Sequence, residues 1–294
     1  MVKYTGRCDE GVELMSKKYK LTDETIERYG HTLYRIEAVT SFGIVIAGEL
    51  GGFIEKEDNL KQSGNAWVSD NARVYGNAWV SGNAWVSGDA RVSDNACVYG
   101  NARVSGDACV YSNACVSGNA RVYGNTRVYG DACVSDNSRV YGNACVSGNA
   151  RVYGNAWVSG NACVSGDARV YGNACVYDNA RVSGDACVSD NARVSGNAWV
   201  SGNACVSGDA CVSKLTDYVV YKNTWSSGRY FTYTRSNKKW AVGCFYGTSE
   251  ELVDKAYKDS EISGKMYEKI VKLNDEMYAE LEDLLCKKKS RTSI

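Results

Sequence analysis

The chain of 294 residues contains no proline, only four phenylalanines and a single histidine, His31. One histidine excludes mechanisms that use two imidazoles and metal sites that are built from several histidines. The formal net charge is zero, so no overall positive field attracts nucleic acid or an anionic membrane. No apolar run approaches the roughly 18 residues of a membrane-spanning helix. These absences disfavour most enzymes. For His31, which follows a predicted turn at Gly30, a structural or solvent-exposed role is favoured over catalysis.

Cysteine is abundant by contrast, with 13 residues. The cysteine count is odd and the N-terminal residues Met1–Tyr4 lack the apolar stretch of a secretion signal. We therefore expect a cytoplasmic protein with reduced thiols.

One six-residue pattern, V-[S/Y]-[G/D]-[N/D]-A-x, fills residues 64–213. Valine recurs at every sixth position over 68–212, 25 times in all, and alanine precedes it by two residues except at Thr126 and Ser138. A strand that reads Ala-x-Val points Ala and Val to one face and x to the other. Asn or Asp after Gly or Asp tolerates the left-handed backbone of a bend. The pattern predicts one short strand and one corner in every six residues.

This pattern resembles the hexapeptide repeat of left-handed parallel β-helices. In that family an aliphatic residue and a small residue four places later point inward, and three hexapeptides form one triangular coil. The resemblance implies the left hand, the triangular shape and about 8 coils for residues 64–213. We expect a mainly β protein with a small N-terminal β cap and first coil (1–63), a repeat rod (64–213) and a C-terminal α+β domain that ends in an amphipathic helix (214–294).

The residue before each valine is predicted to face solvent and is drawn from three types, with ten Arg, ten Cys and five Trp. Residues 18 apart then stack on one side of the rod. A duplicating DNA repeat with point drift would give the same three types, because their codons are single-base neighbours, and this alternative stays open. Exposed apolar patches mark contact surfaces. The candidates near the first coils are Trp67, Trp79 and Trp85.

A second candidate surface lies in the middle of the rod, where arginines stack beside tyrosines. Guanidinium groups beside aromatic rings bind phosphates, bases or acidic proteins. The ten rod arginines are matched by eleven aspartates, whereas binding to the phosphate backbone of a nucleic acid needs a surplus of positive charge. We therefore expect a protein partner and no nucleic acid. The residues are Arg103, Arg121 and Arg139 with Tyr123 and Tyr141 on one side, and Arg151 and Arg169 with Tyr153 and Tyr171 on the adjoining side.

Three cysteines, Cys97, Cys115 and Cys133, stack on the same side of the rod as Arg151 and Arg169, at a spacing of about 5 Å, which disulfide geometry allows. Without histidine in the rod and in a reducing compartment, neutral thiols are favoured over a zinc site or a redox relay. No metal or cofactor is predicted.

The N-terminal cap is expected to contain strands over Thr32–Val39 and Phe42–Ala47. Ile44, Ile46 and the pair 53–54 suit a transition coil that closes the first turn of the rod.

The C-terminal domain is predicted to contain strands over Tyr218–Lys222, Arg229–Thr234 and Lys239–Phe245. A helix begins at 248–249, where two glutamates follow in the first turn. A second helix over Ile262–Cys286 carries apolar residues three and four apart, which favours packing within the chain or self-association as a dimer or trimer. These residues are Met266, Ile270, Leu273, Met277, Leu281 and Leu284.

The same domain contains polar and reactive residues that suggest a pocket for a small anionic ligand such as a nucleotide, in a sponge-like protein. Cys244 has no histidine nearby in the sequence, which disfavours a role as a catalytic nucleophile. The candidates are Arg229, Tyr233, Arg235, Trp240, Cys244, Glu250 and Glu251.

The whole chain resembles hypothetical hexapeptide-repeat proteins of bacteriophage and prophage genomes. The resemblance rests on Leu-Gly-Gly-Phe-Ile-Glu at 50–55, before the repeats, and on Gly-Cys-Phe-Tyr-Gly-Thr-Ser-Glu-Glu at 243–251, after them. It implies a phage protein in the bacterial cytoplasm, and it supplies no activity.

Enzymes with this rod are acyl- and nucleotidyl-sugar transferases that use a catalytic histidine. The present repeats contain no histidine and no inserted loop, which disfavours an acyltransferase. We expect a non-enzymatic scaffold that binds or sequesters a host macromolecule, with host takeover or counter-defence as the context and a host protein as the partner.

Overall fold

The computed structural model describes residues 17–291, with side chains as far as Leu284, so residues 1–16 of the predicted cap lie outside it. The first strands are β1 (Tyr19–Arg28), β2 (His31–Ala38) and β3 (Leu50–Ile54). Each of the next 25 strands contains one repeat valine. In chain order, β4 to β28 are Trp67–Val68, Arg73–Val74, Trp79–Val80, Trp85–Val86, Arg91–Val92, Cys97–Val98, Arg103–Ser105, Cys109–Val110, Cys115–Val116, Arg121–Tyr123, Arg127–Val128, Cys133–Val134, Arg139–Val140, Cys145–Val146, Arg151–Val152, Trp157–Val158, Cys163–Val164, Arg169–Val170, Cys175–Val176, Arg181–Val182, Cys187–Val188, Arg193–Val194, Trp199–Val200, Cys205–Val206 and Cys211–Val212.

The repeat strands form three parallel sheets. Each strand pairs with the strand three places along the chain, so that Val104 lies beside Val86 and Val122. The first sheet has eleven strands, from β1, β2 and β3 through β5 and every third strand to β26. The second sheet has nine strands, β4 to β28, and the third has eight, β6 to β27. Successive strands enter the three sheets in turn, so the chain is a β-solenoid of about nine turns, and the mainly β class is confirmed.

The core of the solenoid consists of the repeat valines and alanines. All 25 valines are fully buried, and the alanines are at most 1% exposed. The residue before each valine is half-buried or exposed, with Trp67 as the exception at 0%. The alternation read from the sequence is therefore confirmed for the core and for all outward positions but one.

The corners bend one residue earlier than expected. The left-handed residue is the one before the Asn or Asp; it is a glycine such as Gly118 (φ 63°), an aspartate such as Asp136 (φ 58°) or, once, Ser112 (φ 62°). Asp136 Oδ2 accepts a hydrogen bond from the backbone N–H of Gly154 in the next turn at 3.0 Å. The Asn side chains connect turns instead, as where Asn119 Nδ2 donates to Asn137 Oδ1 at 3.0 Å. One continuous ladder of such bonds joins Asn65, Asn83, Asn101, Asn119, Asn137, Asn155, Asn173, Asn191 and Asp209.

Thr126 and Ser138 replace alanine in the core, and we expect their substitution to change stability in opposite directions. Thr126 Oγ1 is buried and has no hydrogen-bond partner among the described residues, whereas Ser138 Oγ donates to the Ser135 carbonyl at 2.6 Å. We expect Thr126→Val to raise the free energy of unfolding by about 1 kcal/mol, because it removes an unpaired buried hydroxyl. Ser138→Ala should lower it by about 1 kcal/mol, because it removes a made hydrogen bond. Urea unfolding of both variants measures the difference, and a less stable Thr126→Val would contradict the assignment.

The N-terminal cap differs from its prediction in one segment. Phe42–Ala47 is not a strand but a tight turn, in which the backbone groups of Phe42 and Val45 bond each other at 2.9 and 3.0 Å. That turn points Val45 inward and leaves Ile44 and Ile46 81% and 69% exposed, so these two isoleucines do not close the first turn.

The remainder of the cap extends the first sheet. β2 lies close to the predicted Thr32–Val39 strand, and Phe53 and Ile54 are buried as expected. β1 was not predicted; it pairs antiparallel with β2. A 3₁₀ helix, Glu57–Asn59, follows β3.

The C-terminal domain follows a second 3₁₀ helix, Leu215–Asp217. Its antiparallel sheet consists of β29 (Tyr218–Lys222), β30 (Tyr230–Thr234), β31 (Lys239–Val242) and β32 (Phe245–Gly247), and the helices are α1 (Ser249–Asp259) and α2 (Glu261–Arg291). The predicted third strand is split by a turn at Gly243, where φ is 57°. Thr248 caps α1, which confirms the predicted helix start.

Side chains of this domain cover the last turn of the solenoid. The backbone N–H of Cys205 donates to Thr232 Oγ1 at 2.8 Å, and that of Cys211 donates to Ser236 Oγ at 2.7 Å. In earlier turns the equivalent N–H groups donate to the following turn, as Cys187 does to Ala204. The hydroxyls thus satisfy donors that an uncovered sheet edge would expose.

Candidate functional site

Three arginines lie side by side on the outer face of the second sheet. Arg103 pairs in register with Arg121, and Arg121 pairs with Arg139, on β10, β13 and β16. Adjacent strands lie about 4.8 Å apart, so the three side chains form a close column. Arg103 and Arg121 are exposed, and Arg139 is half-buried. The stacking predicted from the 18-residue spacing is present.

Aromatic rings flank this column. Tyr123 and Tyr141 stack with centroids 5.1 Å apart and planes 4° from parallel. The guanidinium of Arg139 lies 5.0 Å from the ring centroid of Trp157, which also meets Tyr141 edge-on at 6.3 Å. Trp157 is 41% exposed. We name the set the arginine–tyrosine face; it consists of Arg103, Arg121, Tyr123, Arg139, Tyr141 and Trp157.

The positive charges of this face have no ion-pair partner among the described residues. Some corner aspartates of the repeat accept a hydrogen bond from backbone, as Asp136 does from Gly154, and others accept one from an Asn side chain, as Asp131 does from Asn113. Like charges directly opposite each other on neighbouring strands are destabilising. A negatively charged partner would relieve that repulsion, so the face is suited to an acidic surface.

A shallow cavity of about 400 Å³ continues the face beyond the arginine column. Tyr141, Trp157, Tyr177 and Arg193 are among its lining residues. Trp157 and Arg193 are not among the site residues predicted from the sequence. Both lie on the same side of the solenoid as Arg139, 18 and 54 residues later in the chain. The 18-residue spacing could therefore have identified them.

The third sheet carries the smaller of the two predicted arginine patches. Arg151 and Arg169 are exposed and paired in register, and Tyr153 and Tyr171 stack at 5.0 Å with planes 6° apart. A hydrogen bond with Cys187, together with burial, raises the pKa of Tyr171 to about 12. This patch has two arginines and no tryptophan, so it offers less contact area than the arginine–tyrosine face.

The predicted exposed contact surface of Trp67, Trp79 and Trp85 is wrong for Trp67. Its indole is fully buried beneath the cap, where the rings of Tyr19 and Phe42 meet it edge-on at 6.5 and 5.5 Å. Trp79 and Trp85 are half-buried. Trp67 is therefore part of the junction between the cap and the solenoid, and only Trp79 and Trp85 retain outward surface.

The structure does not bring the seven candidates of the C-terminal domain together. Arg229 lines a cavity of about 290 Å³, whereas Arg235 lines a separate cavity of about 370 Å³. Arg235 also forms an ion pair with Glu282 of α2 at 2.8 Å. The two arginines lie at opposite ends of β30 and line different cavities, so the structure does not place them in one site.

The other five candidates have structural positions or lie on the surface. Tyr233 and Trp240 belong to the buried core of the domain. Glu251 accepts a hydrogen bond from the Thr248 N–H at 2.7 Å, and this bond lowers the pKa of its carboxyl. Glu250 and Cys244 are exposed.

All eleven cysteines whose side chains are described are unbridged. Cys97 and Cys115 are adjacent, with their Sγ atoms 3.0 Å apart. The neighbouring Cys115 thiol and burial raise the pKa of Cys133, which favours its neutral form. In the described part of the chain no three His, Cys, Asp or Glu side chains are grouped so that they could hold a metal ion.

The family model of the YdcK beta-solenoid repeat matches eight segments of the solenoid: residues 66–82, 72–88, 90–106, 96–112, 114–130, 138–154, 144–160 and 186–202. The repeat is therefore similar to that beta-solenoid repeat over much of its length. No curated protein matches the chain. Neither α1 nor α2, within residues 17–291, has the length and apolar character that crossing a membrane requires.

Proposed function

We propose that this protein is a non-enzymatic binding scaffold that holds an acidic host protein on the arginine–tyrosine face. The observation that carries the proposal is the column of Arg103, Arg121 and Arg139, unpaired within the described residues and flanked by stacked rings. Arg, Tyr and Trp are the residue types that dominate binding energy in protein interfaces. Hydrogen-bonded strands already fix their backbone, so the conformational entropy lost on binding is that of the side chains.

A protein partner suits the charge distribution better than a nucleic acid. Corner aspartates such as Asp107 and Asp131 are exposed on the same solenoid. They would repel the continuous phosphate backbone of DNA or RNA, whereas an acidic protein surface can place its carboxylates on the arginine column alone. Sequestration of the partner is the expected consequence, in host takeover or counter-defence.

Affinity capture from a bacterial lysate tests the face. We expect the wild-type chain to retain a protein that the variant Arg103→Ser/Arg121→Ser/Arg139→Ser loses, with affinity reduced by about 100-fold or more, because several central interface contacts disappear together. Trp157→Ser should weaken the same complex. Biolayer interferometry with the purified partner measures both effects.

The matched control is Arg151→Ser/Arg169→Ser/Arg181→Ser, which removes the same charge from the other two sheets. It should retain the partner. Equal loss in both triple variants would indicate a general charge effect and contradict the proposal. So would capture of nucleic acid in place of protein, or full retention by the first triple variant.

We also propose that the chain self-associates through α2. One face of α2, with Tyr267 and Asn274, packs on the domain core. Leu273, Met277 and Leu284 remain 50%, 47% and 64% exposed. Met266, Ile270 and Leu281 border this exposed stripe and are half-buried. Burial of a stripe of this kind against a second copy is the usual source of helix pairing.

Leu273→Glu/Met277→Glu is expected to convert the dimer or trimer into a monomer, because it places charges in the stripe. Lys272→Glu alters the charge of the same helix outside the stripe and should leave the assembly intact. Sedimentation velocity distinguishes the two, and a monomeric wild type would refute this use of α2.

The finer architecture and origin are proposed on the resemblance in the repeat and in the flanking motifs. We propose that the solenoid is left-handed with triangular coils, because its three sheets and its inward Val and Ala match that hexapeptide pattern. An experimental density map would establish the hand. The motifs at 50–55 and 243–251 support a phage or prophage protein that acts in the bacterial cytoplasm.

A further inference from the structure

The tip of the β1–β2 hairpin is fixed against the outer face of the first sheet. Tyr29 and Gly30 have φ values of 55° and 79°, as in a tight two-residue hairpin turn. The Tyr29 ring stacks on Tyr75 with centroids 5.9 Å apart, and the His31 ring lies 5.2 Å from Tyr75. Arg91 donates a hydrogen bond to the Tyr29 hydroxyl. Contacts from two turns of the solenoid therefore hold the tip.

An ionised carboxylate adds a further contact. His31 Nδ1 lies 2.9 Å from Glu55 Oε1, and Glu55 Oε2 accepts from the Gly76 N–H at 2.6 Å. Burial acts to raise the pKa of Glu55, but these hydrogen bonds outweigh it and the pKa is lowered. His31 thus contributes to the placement of the tip.

A cavity of about 550 Å³ lies between this tip and the next turns of the sheet. Tyr111 lines its far side and stacks on Tyr129 with centroids 5.0 Å apart. The residue 18 positions before Tyr111 is Ser93, which also lines the cavity, and the residue 18 positions before that is Tyr75. A serine thus stands where a third tyrosine ring would lie between Tyr75 and Tyr111, and the face of Tyr111 turned away from Tyr129 is open.

Positive charge lies next to the open position. Arg91 and Arg127 flank Cys109 in register, so their strands are two spacings, about 10 Å, apart. Neither arginine forms an ion pair within residues 17–284. The acid in the lining, Asp94, accepts from the Ser112 N–H at 2.9 Å. Both guanidinium groups therefore keep donors for an anion.

We propose that this cleft binds a nucleoside monophosphate, with its base stacked on the open face of Tyr111 and its phosphate held by Arg91 and Arg127. The volume lies within the roughly 300–1,000 Å³ of small-molecule sites. Planar stacking and charge-assisted hydrogen bonds are the two contacts that such a ligand needs. The cleft lies on the first sheet, so it is independent of the arginine–tyrosine face.

Isothermal titration of the full chain with AMP, GMP, CMP and UMP tests the proposal. We expect at least one of the four to bind at one site per chain. The corresponding nucleoside and ribose 5-phosphate should each bind at least about tenfold more weakly. Arg127→Ser should weaken binding about tenfold, because one charged hydrogen-bond donor is lost. Ser93→Tyr should abolish it, because the new ring fills the open position.

Arg181→Ser and Ser147→Tyr are the matched controls, since both lie on the first sheet away from the cleft. They should change the dissociation constant by less than about twofold. A folded wild type that binds none of the four nucleotides overturns the proposal, as does ribose 5-phosphate binding as tightly as the nucleotide. Unchanged affinity in Arg127→Ser also overturns it, and this variant remains informative if Ser93→Tyr fails to fold.

Discussion

Trp67→Ala is expected to lower the free energy of unfolding of the N-terminal cap by about 3–5 kcal/mol, the usual cost of truncating a buried tryptophan. Trp67 is fully buried, and the rings of Tyr19 and Phe42 meet its indole edge-on. The backbone of Gly51 is so close that a Cβ there would lie 2.7 Å from the indole. Alanine would leave a cavity lined by rings and backbone that paired strands hold apart. Hydrogen exchange of β1 to β3 in increasing denaturant measures the loss.

Trp199→Ala is the matched control, because Trp199 occupies the same repeat position at the other end of the solenoid and is 53% exposed. We expect it to change stability by less than about 1 kcal/mol. Trp67→Phe should fall between the two, since it keeps a ring and removes an indole N–H that is buried without a partner in the described chain. Equal losses for the two alanine variants would show that the cap does not cover Trp67.

The contrast between these tryptophans shows what local sequence determines. Residue alternation fixed the inward direction of the valines, because it depends only on neighbours within one strand. The same rule assigned Trp67 to solvent. Its burial arises from Tyr19 and Phe42, which lie far earlier in the chain and form no part of the repeat. Long-range covering of this kind has no periodic signal.

The candidate sites also differ in whether local spacing or long-range contacts determine them. The column of Arg103, Arg121 and Arg139 was predictable, because 18 residues make one turn throughout the solenoid. The single C-terminal pocket predicted for Arg229 and Arg235 is not formed, because these residues flank one strand and line different cavities. The cleft at the hairpin tip was not predicted, because it depends on contacts of the β1–β2 tip with the outer face of the first sheet, and β1 itself was not predicted.

Asn59 closes the first turn of the solenoid with four hydrogen bonds. Its Nδ2 donates to the carbonyls of Gly76 at 3.2 Å and Ala78 at 2.7 Å. Its Oδ1 accepts from the N–H groups of Glu55 at 3.2 Å and Lys56 at 2.9 Å. The side chain is fully buried, so it requires both its donors and its acceptor.

Asn59→Asp is therefore expected to lower the free energy of unfolding by about 3 kcal/mol or more at pH 7. The change removes both donors and places a carboxylate against two carbonyl oxygens. Burial raises the pKa of the new carboxyl above its unfolded value of about 3.9. The unfolded state then binds fewer protons, so the variant loses stability as pH rises above about 4 and approaches the wild type below it. Urea unfolding at pH 4 and pH 7 measures this dependence.

The reciprocal change at the other end should be mild. Asp217 Oδ2 accepts from the Ser213 N–H at 2.7 Å, the Ser213 hydroxyl at 2.9 Å and the Lys214 N–H at 3.0 Å. Asp217→Asn retains an acceptor oxygen at this place, so we expect a loss of about 1 kcal/mol. The two 3₁₀ helices have the same length and cap residue type, a Lys. A severe Asp217→Asn beside a mild Asn59→Asp would therefore mean that charge, rather than donor and acceptor identity, determines how each end of the solenoid is closed.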